Sequence, residues 1–228
     1  MNADNIFAKA LDRQTLTSDE AYWLWEEAPL ERLAAVADKV RRDVVPDKDV
    51  VTWQIDRNVN ITNVCISGCK FCNFHCKPHQ ADRAFITTID EYRQKIDQML
   101  ALGGDQLLLQ GGLHPKLGIE FYEELFSQLK RLYPQVRLHA LGAPEVAHIA
   151  SISGISTRET LERLRAAGLD TLPGAGAEIL SERVRKIISP AKPSAHDWVK
   201  VMHEAHMLGI PATATMMYGH IETPHERI

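Results

Sequence analysis

No part of this 228-residue chain comes near the roughly eighteen uninterrupted apolar residues that a membrane-spanning helix needs. Its opening, "MNADNIFAKALDRQTLTSDE", has neither a basic start nor an apolar run, so nothing in it reads as a secretory leader. Long Lys/Arg runs are missing too. The 26 basic and 30 acidic residues leave a formal charge of −4, which argues against nucleic acid or an anionic membrane as the main partner. The expectation is a soluble, cytoplasmic protein acting on a small molecule, with no nucleic acid and no membrane involved. No internal repeat stands out. No βα turn carries G-x-G-x-x-G ahead of a helix, beyond a loose "GAGAE" at 174–178, so a dinucleotide-binding sheet finds little support. Cysteine is scarce: there are four, all within "NVCISGCKFCNFHC" at 63–76. In a reducing compartment such crowding points to metal binding or catalysis rather than to structural disulfides.

What is present begins with a core-forming composition, 45% hydrophobic. Residues 5–45 carry apolar positions at helical spacing, with Thr17-Ser18-Asp19-Glu20 as a start signal. A helical segment over 1–48 is therefore expected to precede a core over 49–228. The core opens on the β-rich "VTWQIDRNVNIT". It then alternates strand and helix, with five strands near 52–61, 105–110, 136–141, 169–172 and 212–217, and with "TRETLERLRAAGLD" as a helix closed by Gly168. Nearly continuous apolar strands alternating with helices imply a parallel sheet covered by helices. We expect an α/β fold, a partial (β/α) TIM-like barrel. An eight-fold barrel takes about 250 residues, and this chain stops at "ETPHERI", in what reads as the first turn of a helix. The expectation is thus a barrel lacking its C-terminal part, continued in the native protein by at least one more βα unit. Alone, these residues are expected to aggregate or to bind substrate poorly.

Parallel barrels do their chemistry at the C-terminal ends of the strands. Five unusual clusters fall there: the cysteine loop, "QGGLHP", "HALGAPE", "PGAGAE" and "MMYGHIE". Their convergence on one mouth would make an active site. His139, Glu145, Tyr218 and His220 are the mouth residues able to bind a substrate or move a proton. Each cluster also has a bland reading. His139 can be a hydrogen-bonded core histidine, Gly111-Gly112 a tight turn, and Met216-Met217 core filler. The charged residues of the 120s, 160s and 180s read as solvated helix faces, and His203 and His206 as surface or packing residues.

Cys65, Cys69 and Cys72 are spaced C-x-x-x-C-x-x-C, and Cys76 follows four residues later. Structural zinc sites usually draw on two separated pairs, which this chain lacks. An iron–sulfur cluster suits thiolates on one compact loop. Three thiolates on four irons leave one iron open to a cofactor, whereas a simple electron carrier would need a fourth ligand, for which Cys76 is the only protein candidate. The carrier and a zinc-stabilised module stay open as alternatives at this point.

The cysteine spacing, with Phe71 just before the third cysteine, closely resembles the signature of the radical S-adenosylmethionine (radical SAM) superfamily. "NVNITNVCISGCKFCNF", "LLLQGGLHP", "LPGAGAEIL", "ISPAK" and "MHEAHMLGIPATATMMYGHIET" together resemble one branch of it, from about residue 50 to the end. That branch contains dehypoxanthine futalosine cyclase and aminofutalosine synthase of menaquinone biosynthesis, and the deazaflavin (FO) synthase subunits, and the wording is most like the cyclase. The resemblance implies a 4Fe-4S cluster on Cys65, Cys69 and Cys72, with S-adenosyl-L-methionine as second cofactor. Phe71 would lie by the adenine, Gly111 and Gly112 would offer strand-edge backbone to the methionine amino group, and Glu178 would hold the cofactor's amino or ribose groups. A nucleoside-derived substrate and an external electron donor of flavodoxin or ferredoxin type follow from the same resemblance. Cys76 has no family role and reads as a free thiol near the mouth. Two departures stand out: Gly142 where relatives often carry Ser or Thr, and Ala175 where they often carry a third glycine. The second is tolerated if residue 175 needs no positive φ.

Overall fold

The structure is a computed structural model that describes residues 2–45, 47 and 49–228; the boundary expected at residue 48 falls on Lys48, outside the described residues. The chain forms two compact units. One comprises the residues up to Trp53 together with Gly219–Ile228, and the other Gln54–Tyr218.

The first unit holds α1 (Ala3–Leu11), α2 (Ser18–Glu26), α3 (Leu30–Val44) and the short α10 (Pro224–Arg227). Thr17 caps α2 in a reciprocal box with Glu20, as the start signal predicts. Phe7 is buried against the edge of Trp23 at 6.2 Å, with the Arg32 guanidinium 4.2 Å above its ring. Among the described residues no helix is long and apolar enough to cross a membrane.

The second unit is built on a parallel sheet in the order β1 (Asp56–Asn60), β2 (Gln106–Gln110), β3 (Arg137–Ala140). The register pairs Asn58 with Leu108 and Leu108 with His139. The fourth and fifth expected strands are reduced to single bridges, His139 to Thr171 and Leu172 to Ala212. Pro173 and Gly174 interrupt the ladder at once: proline has no N–H to donate, and Gly174 approaches the 213–214 backbone too closely for any Cβ. Side chains take over there. Thr213 Oγ1 accepts from Gly174 N at 2.8 Å, and Thr215 Oγ1 donates to Gly174 O at 2.8 Å.

Six helices belong to this unit: α4 (Ile89–Ala101), α5 (Ile119–Leu132), α6 (Ala143–Ser153), α7 (Thr157–Ala167), α8 (Glu182–Ile188) and α9 (Ala195–Met207). Val59, Leu107, Leu109, Leu138 and Ala140 share the buried side of the sheet. They pack in one core with Tyr92 and Ile96 of α4, Phe126 and Leu129 of α5, Leu161 and Leu164 of α7, and Val201 and Ala205 of α9. The alternate positions include Asn58, Asn60, Gln110 and His139, with Leu108 among them, and are at most partly buried. The strands are therefore not apolar throughout, as expected, but two-sided, because one side packs on helices and the other faces the site.

Candidate active site

The cysteine loop rises directly from β1 and is closed at its own base. Val64 and Cys76 form a parallel bridge, in which Cys65 N donates to Cys76 O at 3.0 Å and Cys76 N to Asn63 O at 2.8 Å. Within the loop, Ser67 Oγ lies 3.0 Å from Cys69 Sγ and 3.5 Å from Cys65 Sγ, and Gly68 adopts the left-handed φ of 59° that the turn requires. Cys76 itself is fully buried, its Sγ 3.5 Å from Asn63 Oδ1. It is a free thiol, as expected, but it sits under the loop and not at the mouth. Its backbone closes the loop, and that turns the side chain inward.

Strand β2 meets this loop through Gly111 and Gly112. A Cβ on Gly112 would collide with the Val64 carbonyl, so the residue must be glycine for the loop to lie against the strand. Gly112 N donates to Thr62 O at 2.8 Å. Gly111 N donates to Glu145 Oε1 at 2.9 Å, and Gly142 N to Glu145 Oε2 at 2.6 Å. Glu145 thus caps α6 while also holding the end of β2. Its carboxyl is buried, and burial pushes its pKa up to about 7, against the pull of the two amide bonds and of the Lys192 charge.

The fourth wall is the "GAGAE" loop. Arg185 of α8 lies beneath it, 2% exposed; its Nη1 donates to Gly176 O at 3.0 Å and to Ala177 O at 2.6 Å, and its Nη2 to Pro193 O at 2.5 Å. For Arg185 this corrects the reading of the charged residues of the 180s as solvated, because three carbonyls with no N–H partner need a donor that reaches them all; Glu182, Arg183 and Lys186 are exposed, as expected. Ala175 has no positive φ, so alanine is admissible there; Glu178 does, at 52°. The Glu178 carboxylate pairs with Lys192 Nζ at 2.8 Å, and the ammonium stands 5.2 Å from the centre of the Phe71 ring.

These walls enclose a cavity of about 430 Å³. Cys65, Cys69, Cys72, Phe71, Gly111, Gly112, Glu145 and Glu178 all line it. So do Ser67, His75, Asn58, Asn60, Gln110 and Lys192, which sequence reasoning did not single out. The period-two polarity of "RNVN" could have pointed to the two asparagines; nothing local marks Lys192. His139 lies on the polar side of the sheet but off the cavity wall, its Nδ1 2.6 Å from Thr171 Oγ1, and burial lowers its pKa. Tyr218 is 65% exposed and does not line the cavity. His220 belongs to the other unit, with Nδ1 3.4 Å from the Glu222 carboxylate. Four of the five expected clusters therefore line the cavity. Of "MMYGHIE", Met216, Met217 and Tyr218 do not line it, although Met217 N donates to Glu178 O at 3.1 Å, and the rest belongs to the other unit. Met216 is exposed rather than core, while Met217 packs on Ile179, Val184 and Ile188.

The Radical SAM superfamily sequence model matches residues 59–228, which is most of the chain. The chain belongs to the radical SAM superfamily. It is 44% identical over 224 residues to cyclic dehypoxanthine futalosine synthase of Streptomyces coelicolor, covering 98% of this chain and 56% of that protein. It is 42% identical over 216 residues to 5-amino-6-(D-ribitylamino)uracil–L-tyrosine 4-hydroxyphenyl transferase 1 of Methanosarcina mazei, covering 95% and 55%. The chain spans about half the length of the curated relatives it matches. Among solved structures, HydG, a maturase of the [FeFe]-hydrogenase, superposes with a TM-score of 0.71 at 18% identity, over 98% of this chain and 48% of HydG. Methylornithine synthase (PylB) superposes at 0.66 and 17%, over 91% and 57%. The parallel α/β fold is the radical SAM fold.

Radical SAM enzymes use a 4Fe-4S cluster and S-adenosylmethionine. The residues present fit both. All four thiols are free, and the three on the loop open into one cavity. Among the described residues no three His, Cys, Asp or Glu side chains are gathered round a single point. Three thiols of one compact loop opening into one cavity fit thiolate ligation of such a cluster. Beside them stand an aromatic face, two carboxylates and one ammonium, a complement for a molecule that carries an adenine, an amine and a carboxylate.

Proposed function

We propose that this chain carries the cluster- and cofactor-binding half of a cytoplasmic radical SAM enzyme that cyclises dehypoxanthine futalosine to cyclic dehypoxanthinyl futalosine in menaquinone biosynthesis. The observation that carries this reading is the 44% identity, over 98% of the chain, to the Streptomyces coelicolor synthase of that name. When bound, the two cofactors supply a 5'-deoxyadenosyl radical that takes a hydrogen atom from the substrate. Cys65, Cys69 and Cys72 hold the cluster, Phe71 flanks the adenine, Gly111 and Gly112 present carbonyl oxygens, and Glu178 receives the cofactor's amino or ribose groups. An external flavodoxin- or ferredoxin-type donor provides the electron. Of the residues proposed to meet the substrate or a proton, Glu145 is in the cavity wall, His139 and Tyr218 do not line it, and His220 belongs to the other unit.

A second reading, an FO synthase subunit, is supported by the 42% identity to the Methanosarcina mazei transferase; aminofutalosine synthase is the other sister activity. The electron-carrier alternative loses support, since Cys76 is buried under the loop and unable to serve as fourth ligand without opening it. Reduced, cluster-loaded full-length protein incubated with S-adenosylmethionine and each candidate substrate in turn should consume dehypoxanthine futalosine, and comparison of product masses reads the result. A product from the ribitylaminouracil and tyrosine instead would replace the first reading by the second. Alanine at Cys65, Cys69 or Cys72 should abolish cofactor cleavage, while Cys76→Ala should keep the iron and most of the cleavage. Loss of iron from Cys76→Ala would count against three-cysteine ligation.

A further inference from the structure

A strand end normally offers a ligand both kinds of backbone group, N–H and C=O. At Gly111, Gly112 and Gly142 the backbone donors are already used. Gly112 N is bonded to Thr62 O, Gly111 N to Glu145 Oε1, and Gly142 N to Glu145 Oε2. Among the described residues no hydrogen bond reaches the carbonyls of Gly111 and Gly112. Of the backbone groups of the glycine pair only acceptors remain, and two of the three donors are withdrawn by one side chain that crosses from α6 to the end of β2.

We propose that Glu145 is a positioning residue that makes the ends of β2 and β3 an acceptor-only edge, so that the cavity selects a ligand bringing a cationic amine to Gly111 and Gly112. The inference rests on the reading that this glycine pair meets the amino end of S-adenosylmethionine. Each carboxylate oxygen holds one amide, which fixes both peptide planes. With both N–H groups turned onto the Glu145 carboxyl, the backbone groups left at the glycine pair are carbonyl oxygens, which an ammonium can donate to. A capping glutamate is ordinarily a solvent-facing group that satisfies its own helix. Here it is buried, and its second oxygen serves a residue 34 positions away.

Glutamine keeps the shape but not the chemistry. Its carbonyl accepts from one amide, and its NH₂ meets the other donor head-on, so that peptide must turn an N–H toward the cavity. The test is equilibrium dialysis of cluster-loaded native protein and Glu145→Gln with two ligands, S-adenosylmethionine and its desamino sulfonium analogue. Removing the amine should weaken binding to native protein by on the order of 10- to 100-fold, as expected for a hydrogen bond to a charged group. The same removal should cost Glu145→Gln no more than a few-fold. A purely structural role would lower the affinity for both ligands equally, and equal penalties in the two proteins would overturn the inference while leaving the glycine-pair reading intact. No amine penalty in native protein would overturn both. If Glu145→Gln does not accumulate folded, hydrogen exchange decides in native protein. Gly111 and Gly142 amides protected with or without cofactor support the tie, and protection that arises only on cofactor binding overturns it.

Discussion

Gly142 and Ala175, the two places where the chain departs from the pattern it resembles, face each other. A Cβ built on Gly142 would lie 3.2 Å from the Ala175 Cβ and 3.0 Å from its carbonyl oxygen. The alanine methyl takes the room a side chain at 142 would need, so the two departures compensate. Gly142→Ser should therefore destabilise the protein, and adding Ala175→Gly should return part of the loss, with a coupling of about 1 kcal/mol in a denaturant double-mutant cycle. Strict additivity would show that the two sites are independent. Glu145 supports a second expectation, with a sign. Its native pKa of about 7 stands above the ordinary 4.5, so the folded state binds the proton more tightly than the unfolded one. Stability from this group is greatest at low pH and falls as pH rises from about 4.5 through 7, by on the order of 3 kcal/mol. Glu145→Gln should flatten that part of the stability profile; an unchanged slope would place the titration elsewhere. Which residues were legible follows from how they act. Cys65, Cys69, Cys72 and the glycine pair act through contiguous spacing, and sequence displays spacing. Glu145 and Lys192 act across long separations, and no local pattern records that.

At the level of elements, Arg185 ties two loops together through three carbonyls. Arg185→Ala leaves Gly176, Ala177 and Pro193 without their buried donor and should cost about 2–4 kcal/mol in thermal or chemical unfolding. Arg185→Lys should recover little of it, because one ammonium cannot span carbonyls that a planar fork reaches from both sides. A lysine variant as stable as native protein would show that charge, not geometry, is what the site requires. The helices were legible where one face is apolar, as in α4, α5 and α7. Helix α6 was not: "APEVAHIASIS" is buried on more than one side, so polar and apolar residues do not alternate at its period. The fourth and fifth strands were visible as β-rich sequence, yet what the sequence does not display is that threonine side chains replace their ladder.

For the molecule as a whole, the alternation of strand and helix was enough to place a parallel α/β fold, because burial on the helical side imposes it on every strand. Cooperative strength is not spread evenly over that fold. β2 is the only one of the three strands hydrogen-bonded on both sides over its length, and Leu107 and Leu109 are fully buried. Amide exchange should be slowest there and fastest, within the sheet, at the single bridge between Leu172 and Ala212. Equal protection at the two places would mean that the sheet unfolds as one unit despite its uneven pairing.

The loop bearing Cys65, Cys69 and Cys72 is fastened by its own backbone, through Val64 and Cys76, and not by whatever its thiols will grip. Such a fastening separates two lifetimes. On that fastening, an inorganic centre lost to oxidation is expected to leave the base of the loop bonded, so that a fresh one could be installed without the chain unfolding. The durability of the catalyst then becomes a matter of supply, set by how quickly iron and sulfide are delivered to a receptacle that is already shaped.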